Sequence, residues 1–128
     1  MRKLRVAIVG SEERKWKPEQ KRKAKAFIRL ILLYYADLGY DVVLVSGRCP
    51  KGGVDVWAEQ IADELGVEKL IFPPKKHGWY WYRKRNILIA RHCDVLYDIE
   101  PKGKRSGGTW TLKYAERLGK EVHLIEIS

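Results

Sequence analysis

Strand-forming runs and helix-forming stripes alternate along the chain, and that alternation constrains the fold more than any other feature. Residues 4–9 (LRVAIV) and 41–45 (DVVLV) are β-branched, apolar runs that stop at Gly10 and at Ser46-Gly47. Between them, from about 18 to 38, apolar residues fall at Ala24, Phe27, Ile28, Ile31, Leu32, Tyr35 and Leu38, a helical spacing closed by Gly39. A second stripe at Val54, Trp57, Ala58, Ile61, Ala62 and Leu65 ends at Gly66, and residues 69–72 (KLIF) read as a strand stopped by Pro73-Pro74. A short helix over 83–91, a strand over 94–97, a helix over 109–118 and a strand over 121–127 complete the series. Five strands alternating with four helices predict an α/β fold: a mostly parallel sheet with helices on both faces. Right-handed crossovers give it the Rossmann-like order 3-2-1-4-5. A chain of 128 residues closes one core, so 1–128 is expected to be a single domain.

Charge narrows the partners. Lys plus Arg number 26 against 16 Asp plus Glu, a net charge of +10, which favours phosphate-bearing or otherwise anionic ligands. A charged fraction of 33%, with few Met and Cys, resembles the composition of proteins from hot environments. Cys49 and Cys93 form no CxxC pair and no charged-then-apolar leader opens the sequence, so a reduced, cytoplasmic setting is expected. The apolar run 30–35 is too short to span a bilayer, so no membrane partner is expected. His77, His92 and His123 are dispersed and lack metal-ligand spacing, and neither a Walker loop nor a GxSxG elbow is present; no metal and no cofactor are expected.

In a sheet of this order ligands lie beyond the carboxyl ends of the strands where the order reverses, between strands 1 and 4. The loops at those ends read Gly10-Ser11-Glu12, Ser46-Gly47-Arg48 and Ser106-Gly107-Gly108-Thr109, and Gly52-Gly53 leads into a helix with Asp55 on its first turn. Glycines before a helix let backbone N–H groups at the positive dipole end face an anion, so phosphate can be held without metal. Taken singly, each motif is more often an ordinary strand exit or helix cap.

In order and spacing, the segments VAIVGSEE, VVLVSGRCPKGGVDVWAEQIADELG, RKRNILIARHCDVLY and SGGTWTLKYAERLGKEV resemble the Rossmann-like domains of the SLOG superfamily. That superfamily groups the DNA-processing protein A fold, the lonely-guy cytokinin-activating enzymes and YpsA-like nucleotide sensors. The resemblance implies that Gly10 and Ser11 lie against a ligand and that Ser46, Gly47, Gly53 and Asp55 form its second wall. It also implies that Gly107, Gly108 and Thr109 hold phosphate. Arg85 and Asn86 match the family's Arg-Asn or Arg-Lys pair, with Arg85 neutralising phosphate and Asn86 bonding a base or orienting the loop; Arg85 is alternatively one more basic surface residue. Glu59, one turn after Asp55, is either a second carboxylate near the ligand or a solvated helix residue, the latter being favoured. The chain departs from lonely-guy enzymes at Leu112, where their PGGxGTxxE motif has its glutamate, and in the stretch 98–106, read as a longer loop. Glu12, Asp55, Glu59 and Asp98 are the carboxylates available to replace the missing one.

One segment, 73–85 (PPKKHGWYWYRKR), is left unexplained by that resemblance. Its Lys75, Lys76, Trp79, Trp81 and Arg83 suit a platform for single-stranded nucleic acid, with rings stacking on bases and cations tracking the backbone. Read as extended, the WYWY run sends alternate residues to opposite sides, which favours a subunit contact or a lid and hence a homo-oligomer. The readings in order are therefore a small nucleotide-type ligand, single-stranded nucleic acid, and an N-glycosidase with a substituted carboxylate; a binding domain is favoured over an enzyme.

Overall fold

The computed structural model describes residues 2–128. Strand β1 (Lys3–Gly10) leads through a 3-10 turn at Glu13–Lys15 to α1 (Pro18–Asp37). It is followed by β2 (Asp41–Ser46), α2 (Val54–Leu65), β3 (Glu68–Ile71), α3 (Trp79–Arg91), β4 (Val95–Pro101), α4 (Gly107–Arg117) and β5 (Glu121–Ile127). All strand pairs are parallel and the order is β3-β2-β1-β4-β5, as the alternation predicts. Local chemistry sets the helix ends. Pro18, with φ already fixed, starts α1, while the Lys17 N–H donates to Gln20 Oε1 at 3.0 Å. Gly66 ends α2 in the left-handed conformation, with φ 71°.

The central strand alternates between two cores. Val6 and Ile8 pack with Ile28, Leu32, Leu44, Trp57 and Ile61 beneath α1 and α2, whereas Ala7 and Val9 pack with Val45, Ile89, Leu96 and Ala115 beneath α3 and α4. Burial on both faces is why β1 reads as a continuous apolar run and why it can serve as the fixed floor of a site at its carboxyl end. Among the described residues, no helix is long and apolar enough to cross a membrane.

Two stretches differ from the sequence reading. The run Trp79–Tyr82 is the first turn of α3, not extended chain: Gly78, at φ 111°, supplies the turn and its carbonyl accepts the N–H groups of Trp81 and Tyr82. Neither Trp nor Tyr is β-branched, so nothing in the run resists the helix. Residues 98–101 are strand, not loop, with Asp98 beside Leu124 and Pro101 beside Ile127 in the β4–β5 ladder. Their acids hid the strand because their partners are distant in sequence. Only 102–106 joins β4 to α4.

Candidate functional site

A cleft of about 310 Å³ opens at the carboxyl ends of β1, β2 and β4, at the point where the strand order reverses. Val9, Gly10 and Gly108 form its floor, Arg14, Lys15 and Lys51 a basic rim, and Trp79 and Tyr82 an aromatic wall. Asp55, Arg85 and Asn86 close its inner end. The basic rim is tied down: Lys15 Nζ donates to the Arg105 carbonyl at 3.0 Å, and Lys104 Nζ to the Lys15 carbonyl at 3.1 Å. These bonds fasten the turn after β1 to the loop before α4.

The α4 entry divides between packing and opening. Ser106 Oγ accepts from the Gly108 N–H at 3.0 Å and the Ser106 carbonyl from the Thr109 N–H at 3.1 Å. That leaves the Gly107 N–H as the donor with no protein acceptor among the described residues, and Gly107 faces the cleft. Gly108 is glycine for a different reason. A Cβ there would stand 2.7 Å from Asp98 Oδ1, 3.0 Å from Glu100 Oε2 and 3.1 Å from the Gly10 nitrogen. Thr109 turns inward and donates to Asp98 Oδ2 at 3.3 Å, so its hydroxyl does not line the cleft.

Beneath this helix end lies a buried pair of acids. Glu100 accepts from Ser11 Oγ and, at 2.6 Å, from Ser106 Oγ. Ser11 is itself fully buried, and its carbonyl takes the Val54 N–H and the Trp16 indole N–H, so Ser11 braces the floor and does not touch the cleft. Burial drives the Asp98 carboxyl far above the usual carboxylate range, with the neighbouring Glu100 as the second cause. Asp98 therefore keeps its proton at neutral pH. Its buried Oδ1 has no hydrogen-bond partner among the described residues.

On the β2 side most of the expected wall is again internal. Ser46 Oγ donates to Glu59 Oε2 at 2.8 Å and Arg48 Nε to Glu59 Oε1 at 3.0 Å. Glu59 is thus buried and paired, where the sequence favoured a solvated residue. Gly53, at φ 90°, lies against the turn after β1: a Cβ would fall on the Ser11 carbonyl and 2.7 Å from Glu12 Cα. Gly47 makes room for Arg85, whose Nη1 donates to the Gly47 carbonyl and whose Nε donates to Asn86 Oδ1 at 2.7 Å. Arg85 Nη1 also stands 3.8 Å from Asp55 Oδ2. Burial raises the Asp55 carboxyl to about 6, against the opposing pull of Arg85.

Helical spacing decides the aromatic segment. Trp79 and Tyr82, three apart, share the cleft wall. Lys76 and Lys84 lie over the Trp81 ring at 5.4 and 5.5 Å, and Lys84 over the Tyr80 ring at 5.0 Å. Lys75, Lys76, Trp81 and Arg83 lie outside the cleft. Trp79 is 48% exposed and meets Trp110 edge-on at 5.7 Å. The structure therefore brings Gly10, Asp55, Arg85, Asn86, Gly107 and Gly108 of the expected residues to the cleft, with Trp79 from the nucleic-acid candidates. Glu12, one of the candidate carboxylates, also lines it, as do Arg14 and Lys15 from the start of the basic segment 14–25, Tyr82 from the aromatic run, and Lys51, which the sequence did not single out. Tyr82 was legible in principle, as the helical neighbour of Trp79 in front of Arg85.

No protein-family model and no curated protein matches the chain. Two of the solved structures that match its fold are of carrier proteins. One, of the molybdenum cofactor carrier protein of Chlamydomonas reinhardtii, is 18% identical with a TM-score of 0.67. The other, of the Moco carrier protein from the same alga, is 21% identical with a TM-score of 0.64; each alignment covers 96% of this chain and 76% of that one. The likeness shows a shared Rossmann-like fold.

Proposed function

We propose that the cleft binds one phosphate-bearing, nucleotide-type small molecule, in a domain of SLOG type that carries its ligand without cleaving it. The observation that supports this most is the meeting of unlike groups in one cleft: an unpartnered helix N-terminal N–H, the cations Arg14, Lys15 and Lys51, and the exposed Trp79 indole. The phosphate goes to Gly107 and the basic rim, the planar heterocycle to Trp79 and Tyr82, and Asn86 and Asp55 meet polar edges between them. A volume of about 310 Å³ sits at the small end of the range for small-molecule sites, roughly 300 to 1,000 Å³, which suits one nucleotide unit and not a chain of them. The fold neighbours belong to a protein named as a cofactor carrier, in keeping with a binding role. Leu112 supplies no carboxylate to the site, and Glu59 and Asp98 are committed to internal bonds; of the candidate acids that do line the cleft, Glu12 pairs with Arg14 and Lys51 and Asp55 faces Arg85.

Mass spectrometry of small molecules released from the heat-denatured protein, with parallel titrations of nucleoside monophosphates and a single-stranded oligonucleotide, tests the proposal. The expected result is a nucleotide-type ligand, weak oligonucleotide binding and no free adenine formed from AMP. Tight oligonucleotide binding that falls steeply with salt and is lost in Trp79→Ala and Trp81→Ala would favour the nucleic-acid reading instead. Rapid adenine release that is lost in Asp55→Asn would make the protein a glycosidase.

A further inference from the structure

Helix α1 has two apolar faces, and only one is used within the domain. Ala24, Ile28, Ile31, Leu32 and Tyr35 are buried against the sheet and α2. Phe27, Leu30, Tyr34 and Leu38, at spacings of three and four residues, form a second stripe whose members are 40% to 62% exposed. Contiguous apolar surface of this kind is uncommon on a soluble monomer and marks a contact surface.

Charge selects the occupant. The stretch 30–36 (LILLYYA) contains no charged residue in a chain of net charge +10, so it is where two such cationic molecules can approach without repulsion. The ends of the stripe are oppositely charged. At its start Lys23 has only the terminal Ser128 carbonyl, at 3.3 Å, as partner. Past its end, the exposed Asp37 and Asp41 pair with no cation among the described residues.

We propose that a second copy of this chain packs on that stripe, its α1 antiparallel to the first about a two-fold axis between Leu30 and Tyr34. Leu30 then meets Tyr34 of the second copy and Phe27 meets its Leu38. Lys23 comes beside the acidic end formed by Asp37 and Asp41, and the helix dipoles oppose head to tail. Every contact occurs twice, as a two-fold interface requires. The surface is on the α1 and α2 side of the sheet, away from Trp79, so the dimer leaves the cleft open.

Sedimentation equilibrium of the full chain tests this. The wild type is expected at twice the 15.0 kDa chain mass at micromolar concentration, and Leu30→Glu with Tyr34→Glu at the single-chain mass with an unchanged far-ultraviolet CD spectrum. Lys23→Glu alone should weaken the dimer about tenfold, and adding Asp41→Lys should restore it, a swap that does not depend on the apolar variant folding. A wild type that stays at single-chain mass overturns the proposal, whether or not it binds anionic lipid vesicles or another protein. So does a dimer that persists in the folded double variant, or a charge swap that fails to restore association.

Discussion

Two helix entries look alike in the sequence, Gly52-Gly53 before α2 and Gly107-Gly108 before α4, and the structure uses them differently. At α2 the glycine is filled by protein: Gly53 sits where the turn after β1 crosses, and Ser11 carries that contact. At α4 the two glycines divide the roles. Gly108 lets the helix rest on Asp98, Glu100 and Gly10, while a Cβ on Gly107 would meet only side-chain ends, Trp79 at 3.3 Å and Asn86 Nδ2 at 3.4 Å. A glycine motif therefore marks close approach, and what approaches is as often the protein's own backbone as a ligand. The comparison also separates residues that build the floor from those that face the cleft.

The largest effect expected from that division is at Gly53. Gly53→Val would place a branched side chain on the Ser11 carbonyl at a φ of 90°, and denaturant melts should show a loss of stability of about 4 kcal/mol or more. If the variant keeps wild-type stability, the two loops are not locked together as described.

Asp55 gives the next effect, and its sign follows from its raised value. Below pH 3.8 the carboxyl is protonated in the folded and unfolded chain alike. Between 3.8 and about 6 the unfolded chain loses the proton while the folded one keeps it, so stability falls as pH rises and levels off above 6. The wild type should lose about 3 kcal/mol relative to Asp55→Asn between pH 3.5 and pH 7. Parallel melts of the two proteins across that range check this, and a difference independent of pH would contradict the burial of the ionised group.

On the aromatic wall, Trp79→Ala should cost about 1 to 3 kcal/mol of nucleotide binding if the indole stacks on the heterocycle, measurable by calorimetry. Its stability should change less, since Trp79 is 48% exposed. The smallest expected change in stability is at Gly107. An alanine there needs the neighbouring side chains to move by only a few tenths of an ångström and suits the first turn of a helix, so melting should shift by less than about 1 kcal/mol. Gly108→Ala, by contrast, should be clearly destabilised.

The sequence revealed the sheet because each strand of the centre is a local apolar run and each helix a local stripe. It revealed the glycine loops because glycine is a local symbol of backbone need. What it hid depends on partners far along the chain. Asp98 and Glu100 look like loop residues until Ser11, Ser106 and Thr109 surround them. Glu59 looks solvated until Ser46 and Arg48 claim both its oxygens. Lys15 was one of many cations in the basic segment 14–25, and its place on the rim comes from the fold of the turn after β1 and its bond to Arg105. The aromatic run, read as extended, is helical because Gly78 turns the chain at its head and starts α3 there.

The central claim is that one cleft holds both groups, the anion at the α4 entry and the basic rim and the heterocycle against Trp79. Titrating a nucleoside monophosphate while following tryptophan fluorescence, in the wild type, Trp79→Ala, Lys15→Ala and Gly107→Ala, tests it most directly. The account expects saturable quenching in the wild type. It expects the signal to be lost with Trp79, and affinity to fall about tenfold in each of the other two variants with their melting temperatures within a few degrees of wild type. Unchanged affinity in both Lys15→Ala and Gly107→Ala, with the wild type binding normally, would place the phosphate elsewhere and contradict it.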